Sequence, residues 1–210
     1  MYSCANCAVM VCSQEHPEKL PKNCPMRAQE LMEKALETYS LAENREFYIN
    51  ASEMEALGYC QWPRLKETIQ LCLKMGYNRV GLAFCRGLRK EAKVVEELLR
   101  RAGLEVVSVI CKTGGIDKEV VGIAPECKVN PGNYEPMCNP IAQAVLLNEQ
   151  NTQFNIALGL CVGHDSMFYK YSDALVTTLI AKDRVTGHNP VAAIYCAEGY
   201  FRKRILPSEE

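Results

Sequence analysis

The sequence lacks a surplus of charge of either sign, because 24 lysines and arginines are balanced by 25 aspartates and glutamates. A net charge of −1 argues against the basic surface that nucleic-acid-binding proteins need. No apolar run approaches the roughly 20 residues that a membrane-spanning helix requires. The first residues, Met1-Tyr2-Ser3-Cys4, contain no basic segment followed by an apolar one. We therefore expect no signal peptide and a location in the reducing cytoplasm.

Cysteine, in contrast, is abundant, with 12 in a chain of 210 residues. A chain of this length can bury a sizeable core without disulfides, and a reducing compartment disfavours them. The hydrophobic content of 48% and the charged content of 23% are typical of an ordered globular protein. Abundant thiols in such a protein favour metal binding or redox chemistry.

Four cysteines form an N-terminal set with the pattern C-x2-C-x4-C-x11-C-P: Cys4, Cys7, Cys12 and Cys24. Two residues between Cys4 and Cys7 allow both thiolates to face one metal centre. The polar segment 16–23 contains two prolines and no apolar periodicity, so bound metal would supply its folding energy. The sequence predicts a metal-binding knuckle over residues 1–24.

The spacing leaves the identity of this metal open. The commonest zinc signature has two C-x2-C knuckles, whereas a [4Fe–4S] cluster takes four cysteines, the last of which often precedes a proline. Pro25 follows Cys24, which favours an iron–sulfur cluster with zinc as the alternative. His16 is a further candidate ligand.

Residues 25–210 are predicted to form an α/β domain with a helical lead-in over residues 25–77. Apolar periodicity predicts lead-in helices at 25–39, 43–57 and 63–75. Short apolar runs then predict strands at 79–85, 105–111, 154–161 and 174–181. Helices are expected at 88–102, at 140–148, after Gly163 and at 190–196, with a long loop at 122–139. Alternating strands and helices predict a mostly parallel, four-stranded Rossmann-like sheet flanked by helices, whose strand order the sequence does not determine.

A second group of cysteines is expected at the carboxyl ends of the strands. Cys85, Cys111 and Cys161 each end a predicted strand, and Cys138 precedes a predicted helix. Ligands of open α/β sheets bind beyond the carboxyl ends of the strands. We therefore predict a second metal site at these four cysteines, most simply a second [4Fe–4S] cluster. A thiol redox or sulfur-transfer site, or simple packing, stays an alternative.

Other residues near these cysteines are candidates for cofactor binding or catalysis. Glycines in the following loops allow backbone N–H groups to approach a cofactor: Gly87, Gly114, Gly115 and Gly163. His164 is a candidate ligand or proton donor, and Asp165 lies beside it.

Several further residues are weaker candidates. Cys127 and His188 are possible additions to the second site, and the Lys182-Asp183-Arg184 run offers charge for an anion. The three remaining cysteines are interpreted as packing residues: Cys60, Cys72 and Cys196.

Several of these motifs together resemble a known family. They are the Cys4 to Pro25 pattern, Met137-Cys-Asn-Pro140, Gly159-Leu-Cys-Val-Gly-His-Asp-Ser166 and Lys182-Asp-Arg-Val-Thr-Gly-His-Asn-Pro190. The chain thereby resembles the uncharacterised prokaryotic metal-binding protein family, a domain of unknown function common in anaerobes. The resemblance implies a metal-binding protein with two cysteine sets, and it implies no known reaction.

The sequence therefore favours an iron–sulfur protein or enzyme in which an N-terminal cluster relays electrons to a second cluster at the carboxyl end of the sheet. Its partner would be a redox protein or a small-molecule substrate, and we expect neither nucleic acid nor membrane as a partner. One alternative is a zinc-stabilised module that binds a small molecule or regulates a protein. Another is a sulfur-transfer enzyme in which Cys85 carries persulfide. Homo-oligomerisation stays open.

Overall fold

A computed structural model describes residues 1–15 and 19–206, so the candidate ligand His16 lies outside the described residues. The chain divides into two compact units, Met1–Leu57 and Gly58–Glu210. Within the described part of the chain, no helix combines the length and the apolar character that crossing a membrane requires.

The first unit consists of short turns followed by two helices. Single 3-10 turns form at Cys4–Asn6, Val11–Ser13 and Pro25–Arg27, and helices follow at Gln29–Tyr39 (α1) and Ala42–Gly58 (α2). The helix predicted from residue 25 starts later, because Ala28 adopts φ −85° and ψ 64°, outside the helical region.

The second unit, which we call the α/β unit, alternates helices and strands. Its strands are Arg79–Phe84 (β1), Glu105–Ile110 (β2), Phe154–Leu158 (β3) and Val176–Ile180 (β4). Its helices are Arg64–Lys74 (α3), Arg89–Arg101 (α4), Pro140–Glu149 (α5), His164–Tyr171 (α6), Pro190–Tyr195 (α7) and Arg202–Ile205 (α8). The sequence did not indicate α8, a single turn rich in basic residues.

The four strands form one parallel sheet in the order β2-β1-β3-β4. The predicted fold class, a parallel α/β sheet flanked by helices, is therefore confirmed. β1 and β3 occupy the centre, and every residue of β3 is buried, which explains its continuous apolar sequence. Because all strands run the same way, their carboxyl ends meet at one end of the sheet.

The long loop between β2 and α5 is ordered by ion pairs around a buried lysine. The Lys128 side chain is 2% exposed, and its Nζ lies 2.9 Å from Asp117 and 2.5 Å from Glu119. Lys118 forms a second ion pair with Glu135. These pairs close a segment that is rich in proline and glycine, and so they fix the approach of the chain to α5.

Replacing Lys128 with methionine is expected to open this loop at neutral pH. The substitution leaves the carboxylates of Asp117 and Glu119 without their shared cation, while the methionine fills a similar volume. Hydrogen exchange followed by mass spectrometry should show faster exchange across residues 112–139. Lys93→Met is the matched control, because Lys93 is exposed and lies 3.9 Å from its partner Glu97. Equal exchange in both variants would contradict the role of Lys128.

Acidification should open the same loop in the unchanged protein. The Asp117 carboxylate accepts hydrogen bonds from the backbone N–H of Glu119 and from the side chain of Lys128. These two contacts, the first being the stronger, lower the pKa of Asp117 from 3.8 to about 2. A depressed pKa in the folded state contributes stability that is present above the unfolded pKa and lost as the pH falls through the folded one. Protection of residues 112–139 should therefore decline between about pH 4 and pH 2. In Lys128→Met the decline should begin at higher pH.

Candidate functional site

All four cysteines of the N-terminal set line one pocket. Cys4, Cys7, Cys12 and Cys24 surround about 1000 Å³ of empty space, part of it open to solvent. Cys4 and Cys12 are exposed, and Cys7 and Cys24 are half-buried. The structure therefore brings together the four residues that the spacing had grouped.

Local hydrogen bonds give this pocket its shape. The Cys7 N–H donates to the Cys4 carbonyl at 3.0 Å, which forms a tight turn between these two cysteines. A side-chain hydrogen bond joins Asn23 to Ser3, so the neighbours of the fourth and first cysteines are in contact. The Arg27 guanidinium donates to the carbonyls of Pro21 at 2.9 Å and of Leu20 at 2.7 Å, which fixes the chain leading into Cys24.

A second site lies at the carboxyl end of the sheet, and we call it the carboxyl-end site. Cys85 directly follows β1, Cys111 directly follows β2, and Cys161 lies three residues after the end of β3. Cys138 precedes the Asn139 cap of α5, whose side chain accepts from the Ala142 N–H. All four cysteines line one small pocket with Gln143, Leu160 and His164, around about 190 Å³ of empty space.

Three of these thiols interact in a row that ends at an imidazole. The Cys111 thiol interacts with both Cys85 and Cys138, and Cys138 also interacts with His164. Hydrogen bonding from Cys111 lowers the pKa of Cys85 and of Cys138. Hydrogen bonding to Cys138, and to a smaller extent to Cys85, raises the pKa of Cys111. Hydrogen bonding to Cys138 also raises the pKa of His164. The geometry thus favours thiolates at Cys85 and Cys138 with a protonated Cys111 between them.

Two basic side chains from the loop after β4 reach this site. Lys182 Nζ lies 3.4 Å from Cys85 Sγ, and an Arg184 Nη lies 3.1 Å from Cys161 Sγ. The turn between them is fixed by Asp183, whose carboxylate accepts from the Val185 N–H at 2.9 Å and the Thr186 N–H at 3.0 Å. The basic run is therefore part of the site, where it brings two positive charges next to the sulfurs of Cys85 and Cys161.

His188 stabilises this same turn. Its Nδ1 accepts from the Asp183 N–H at 3.1 Å, and its backbone has a φ of 67°. His188 is not one of the residues that line the carboxyl-end pocket.

The two predicted catalytic residues have different positions. His164 begins α6 and lines the pocket. Asp165 does not line it, and its carboxylate accepts from the Ser166 N–H at 2.8 Å. Of these two residues, therefore, only His164 faces the thiols.

The predicted glycines contribute through the backbone. The Gly87 N–H donates to the Cys85 thiol, and Gly163, with a φ of 79°, provides the turn before α6. Gly114 and Gly115 form the turn after β2, with φ of 97° and 58°, and the Gly115 carbonyl accepts from the Tyr134 hydroxyl. None of the four lines the pocket, so their use for cofactor binding stays a prediction.

The remaining cysteines have mixed roles. Cys72 is fully buried in α3, as the packing interpretation requires, and burial raises its pKa to about 12. Cys60 and Cys196 are exposed, so that interpretation is wrong for them. Cys127 is also exposed and does not line the carboxyl-end pocket.

Sequence reasoning missed Gln143, a fully buried side chain of α5. Its Nε2 donates to the carbonyls of Val109 at 2.7 Å and of Phe84 at 3.3 Å, which ties α5 to the ends of β2 and β1. Within the described ranges, Gln143 Oε1 and His164 Nδ1 have no hydrogen-bond partner. A polar residue in the otherwise apolar segment Ile141 to Leu147 is the signal that could have identified it.

Across residues 1–15 and 19–206, no three His, Cys, Asp or Glu side chains are arranged as ligands of a single metal ion. The thiolates of a [4Fe–4S] cluster bind four different irons, so they are spread around a larger group than one ion. The wide N-terminal pocket has the donor set for such a cluster.

Comparisons with known proteins identify a family. A family model described as "Protein of unknown function (DUF1847)" matches residues 24–179, a span that contains the four cysteines of the carboxyl-end site. The uncharacterized protein MJ0455 of Methanocaldococcus jannaschii is 45% identical over 177 residues, which cover 84% of this chain and 89% of that protein. No solved structure matches the chain.

Proposed function

The chain belongs to the DUF1847 family of proteins of unknown function, and we propose that it is an iron–sulfur metalloprotein with redox chemistry at its carboxyl-end thiols. The observation that carries the proposal is that Cys4, Cys7, Cys12 and Cys24 all line one pocket. When bound there, a cluster would supply one-electron transfer.

The chain's own residues would hold such a group in place. Arg27 fixes the segment before Cys24, and the hydrogen bond between Ser3 and Asn23 joins the residues next to Cys4 and Cys24. The Cys4–Asn6 turn presents Cys4 and Cys7 together. These contacts would limit the movement of the four ligands, which favours a defined cluster environment.

The carboxyl-end site supports thiol chemistry better than a second cluster. Cys85, Cys111 and Cys138 surround only about 190 Å³ of empty space, against about 1000 Å³ at the N-terminal set, and Cys111 interacts with the other two thiols. A second [4Fe–4S] cluster at these cysteines would require the thiols to separate, and it stays a prediction.

Purification without oxygen tests the N-terminal cluster. We expect the full chain to be brown and to contain roughly four irons and four acid-labile sulfides, or roughly eight of each if both sites hold a cluster. Cys24→Ser should lose the N-terminal iron and its electron paramagnetic resonance signal after reduction. Cys60→Ser is the matched control, because Cys60 is exposed and lies in neither cysteine set.

The second variant set separates the two sites. If a second cluster exists, Cys161→Ser should lower the iron content while the N-terminal signal persists. A colourless protein that contains stoichiometric zinc would instead support the zinc-stabilised module. Unchanged iron content in Cys24→Ser would contradict the N-terminal assignment.

A second candidate function, thiol-based sulfur transfer, is favoured by the contacts of Cys85. Lys182 and Cys111 both stabilise its thiolate, which is the nucleophilic form. Cys85→Ser should then abolish sulfur transfer from a persulfide donor and leave the iron content unchanged. Loss of metal in the same variant would point to ligation instead.

A further inference from the structure

Cys111 occupies the middle position among the carboxyl-end thiols. In the pairing of β1 with β2, Phe84 is opposite Ile110, so Cys85 and Cys111 are the next residues on two neighbouring parallel strands. The Cys111 N–H donates to the Phe84 carbonyl at 2.9 Å, which extends the strand pairing to this position. Neighbouring strands lie about 4.8 Å apart, within the range of about 4.4–6.8 Å between Cα atoms that a disulfide allows.

Cys138 is also held next to Cys111. The Asn139 N–H donates to the Cys111 carbonyl at 2.8 Å, which holds the end of the long loop against the end of β2. Cys85, Cys111 and Cys138 line one pocket, and the Cys111 thiol interacts with the other two. The Arg86 N–H donates to the same sulfur, with 3.3 Å between the nitrogen and the sulfur.

We propose that Cys111 is the shared disulfide partner of Cys85 and Cys138, so that the carboxyl-end site exchanges disulfides with small-molecule disulfides. This inference rests on the proposed redox chemistry at the carboxyl-end thiols. It deepens that function by naming the substrate class and the order of the thiols. A small substrate is required because the pocket around the thiols is narrow.

The exchange begins at Cys138, which is half-buried, whereas Cys85 and Cys111 are buried. The Cys138 thiolate attacks a disulfide RSSR, forms a mixed disulfide and releases RS⁻. Cys111 then loses its proton, and its thiolate attacks the Cys138 sulfur, forms the Cys111–Cys138 disulfide and releases a second RS⁻. The Cys111 proton and one proton from solvent convert the two released thiolates to RSH.

Exchange can then move the bond inward. The Cys85 thiolate attacks the Cys111 sulfur, forms the Cys85–Cys111 disulfide and releases the Cys138 thiolate. This step changes no oxidation state overall, and Cys138 becomes free to react again. In sum, two protein thiols are oxidised to one disulfide and one RSSR is reduced to two RSH.

Trapping with bis(2-hydroxyethyl) disulfide tests the order of the thiols. The full chain, kept free of oxygen, is exposed to this probe, its free thiols are alkylated, and its disulfides are mapped by mass spectrometry. We expect Cys85–Cys111 and Cys111–Cys138 bonds in the wild type. In Cys111→Ser neither bond can form, and we expect any Cys85–Cys138 bond to be at least about tenfold less abundant than the wild-type disulfides, because Cys111 lies between these two thiols. Cys85→Ser should leave only the Cys111–Cys138 bond. Cys138→Ser should also lower the yield of the Cys85–Cys111 bond, because it removes the thiol at which the exchange begins.

Cys60→Ser is the matched control, because Cys60 is exposed and lies in neither cysteine set. It should leave both bonds at the wild-type yield. A separate Cys161→Ser variant assigns the bond to Cys138, since Cys138 and Cys161 share the tryptic peptide 129–170. No bond at Cys111, or a Cys85–Cys138 bond at full yield in Cys111→Ser, would overturn the inference.

Iron analysis of the same samples separates the two proposals. Disulfides at Cys111 in a chain that holds no iron would contradict the iron–sulfur assignment and leave the exchange order standing. A chain with an intact N-terminal cluster but no disulfide at Cys111 would contradict the exchange order alone.

Discussion

Gly159→Ala is expected to lower the free energy of unfolding of the α/β unit by about 2–5 kcal/mol. Gly159 follows β3 with a φ of 65°, a left-handed conformation that costs a residue with a Cβ about 1–2 kcal/mol. A Cβ at this position would also lie 1.9 Å from Leu88 Cδ1, so the buried Leu88 would have to move. Such overpacking costs about 1–3 kcal/mol more. Denaturant unfolding followed by circular dichroism measures the sum.

Two comparisons separate the backbone cost from the clash. Gly76 has a φ of 68° and no atom within 4 Å of its Cβ position, so Gly76→Ala should show the backbone cost alone. In a Leu88→Ala background the clash is removed, and the added cost of Gly159→Ala should fall to the Gly76→Ala value. Equal losses for Gly159→Ala and Gly76→Ala in the wild-type background would contradict the close packing at Gly159.

This glycine matters for the thiols because it brings β3 close to the loops that carry them. Leu88 directly precedes α4, near Cys85, and Lys182 Cδ would lie 3.8 Å from the same Cβ. Displacement of Leu88 and Lys182 would therefore disturb the contact between Lys182 and Cys85. Gly159→Ala should therefore slow the attack of the Cys85 thiolate on the Cys111 sulfur, as well as destabilise the α/β unit.

Much of this architecture could be predicted from the sequence. Buried parallel strands need apolar residues on both faces, so β1 and β3 are visible as short apolar runs between glycines and polar turns. Because such strands must share a direction, cysteines at their ends converge whatever the strand order is. Cys85, Cys111 and Cys161 could therefore be grouped without a structure, and they line one pocket.

Long-range contacts could not be predicted in the same way. The pairing of Lys128 with Asp117 and Glu119 depends on how a loop closes on itself, and no periodicity records that. Cys60 was interpreted as a packing residue because it lies in a helical stretch, but it has a φ of 56° after the end of α2 and is exposed. A residue type that is usually buried does not by itself indicate burial when the local backbone turns outward.

Gln143 is a further example, because its role depends on the ends of two strands far away in sequence. Nε2 donates to two carbonyls, and this fixes Oε1 on the opposite side of the amide. Phe84 O also accepts from the Cys111 N–H, whereas Val109 belongs to the outer strand β2. Gln143 thus supplies a hydrogen-bond donor to carbonyl groups at the end of the sheet, where strand pairing stops.

Gln143→Glu should therefore destabilise the α/β unit strongly at neutral pH, by about 3–5 kcal/mol, because a buried carboxylate would face two carbonyl oxygens. Burial raises the pKa of such a carboxyl in the folded state above its unfolded value of about 4.3. The folded state then binds more protons than the unfolded state, so stability falls as the pH rises from about 4.3 towards the folded pKa. Relative to the wild type, the variant should be least impaired near pH 4.

Gln143→Leu provides the control, because leucine removes the donor without adding charge. It should cost about 1–3 kcal/mol, the penalty for leaving a buried carbonyl without its hydrogen bond, and that difference should not change between pH 4 and pH 7. Unfolding of both variants and the wild type by urea at several pH values measures these differences. A pH-independent loss in Gln143→Glu would mean that the side chain turns away from Phe84 and Val109 into solvent. The amide would then not be the group that ties α5 to the strand ends beneath Cys85 and Cys111.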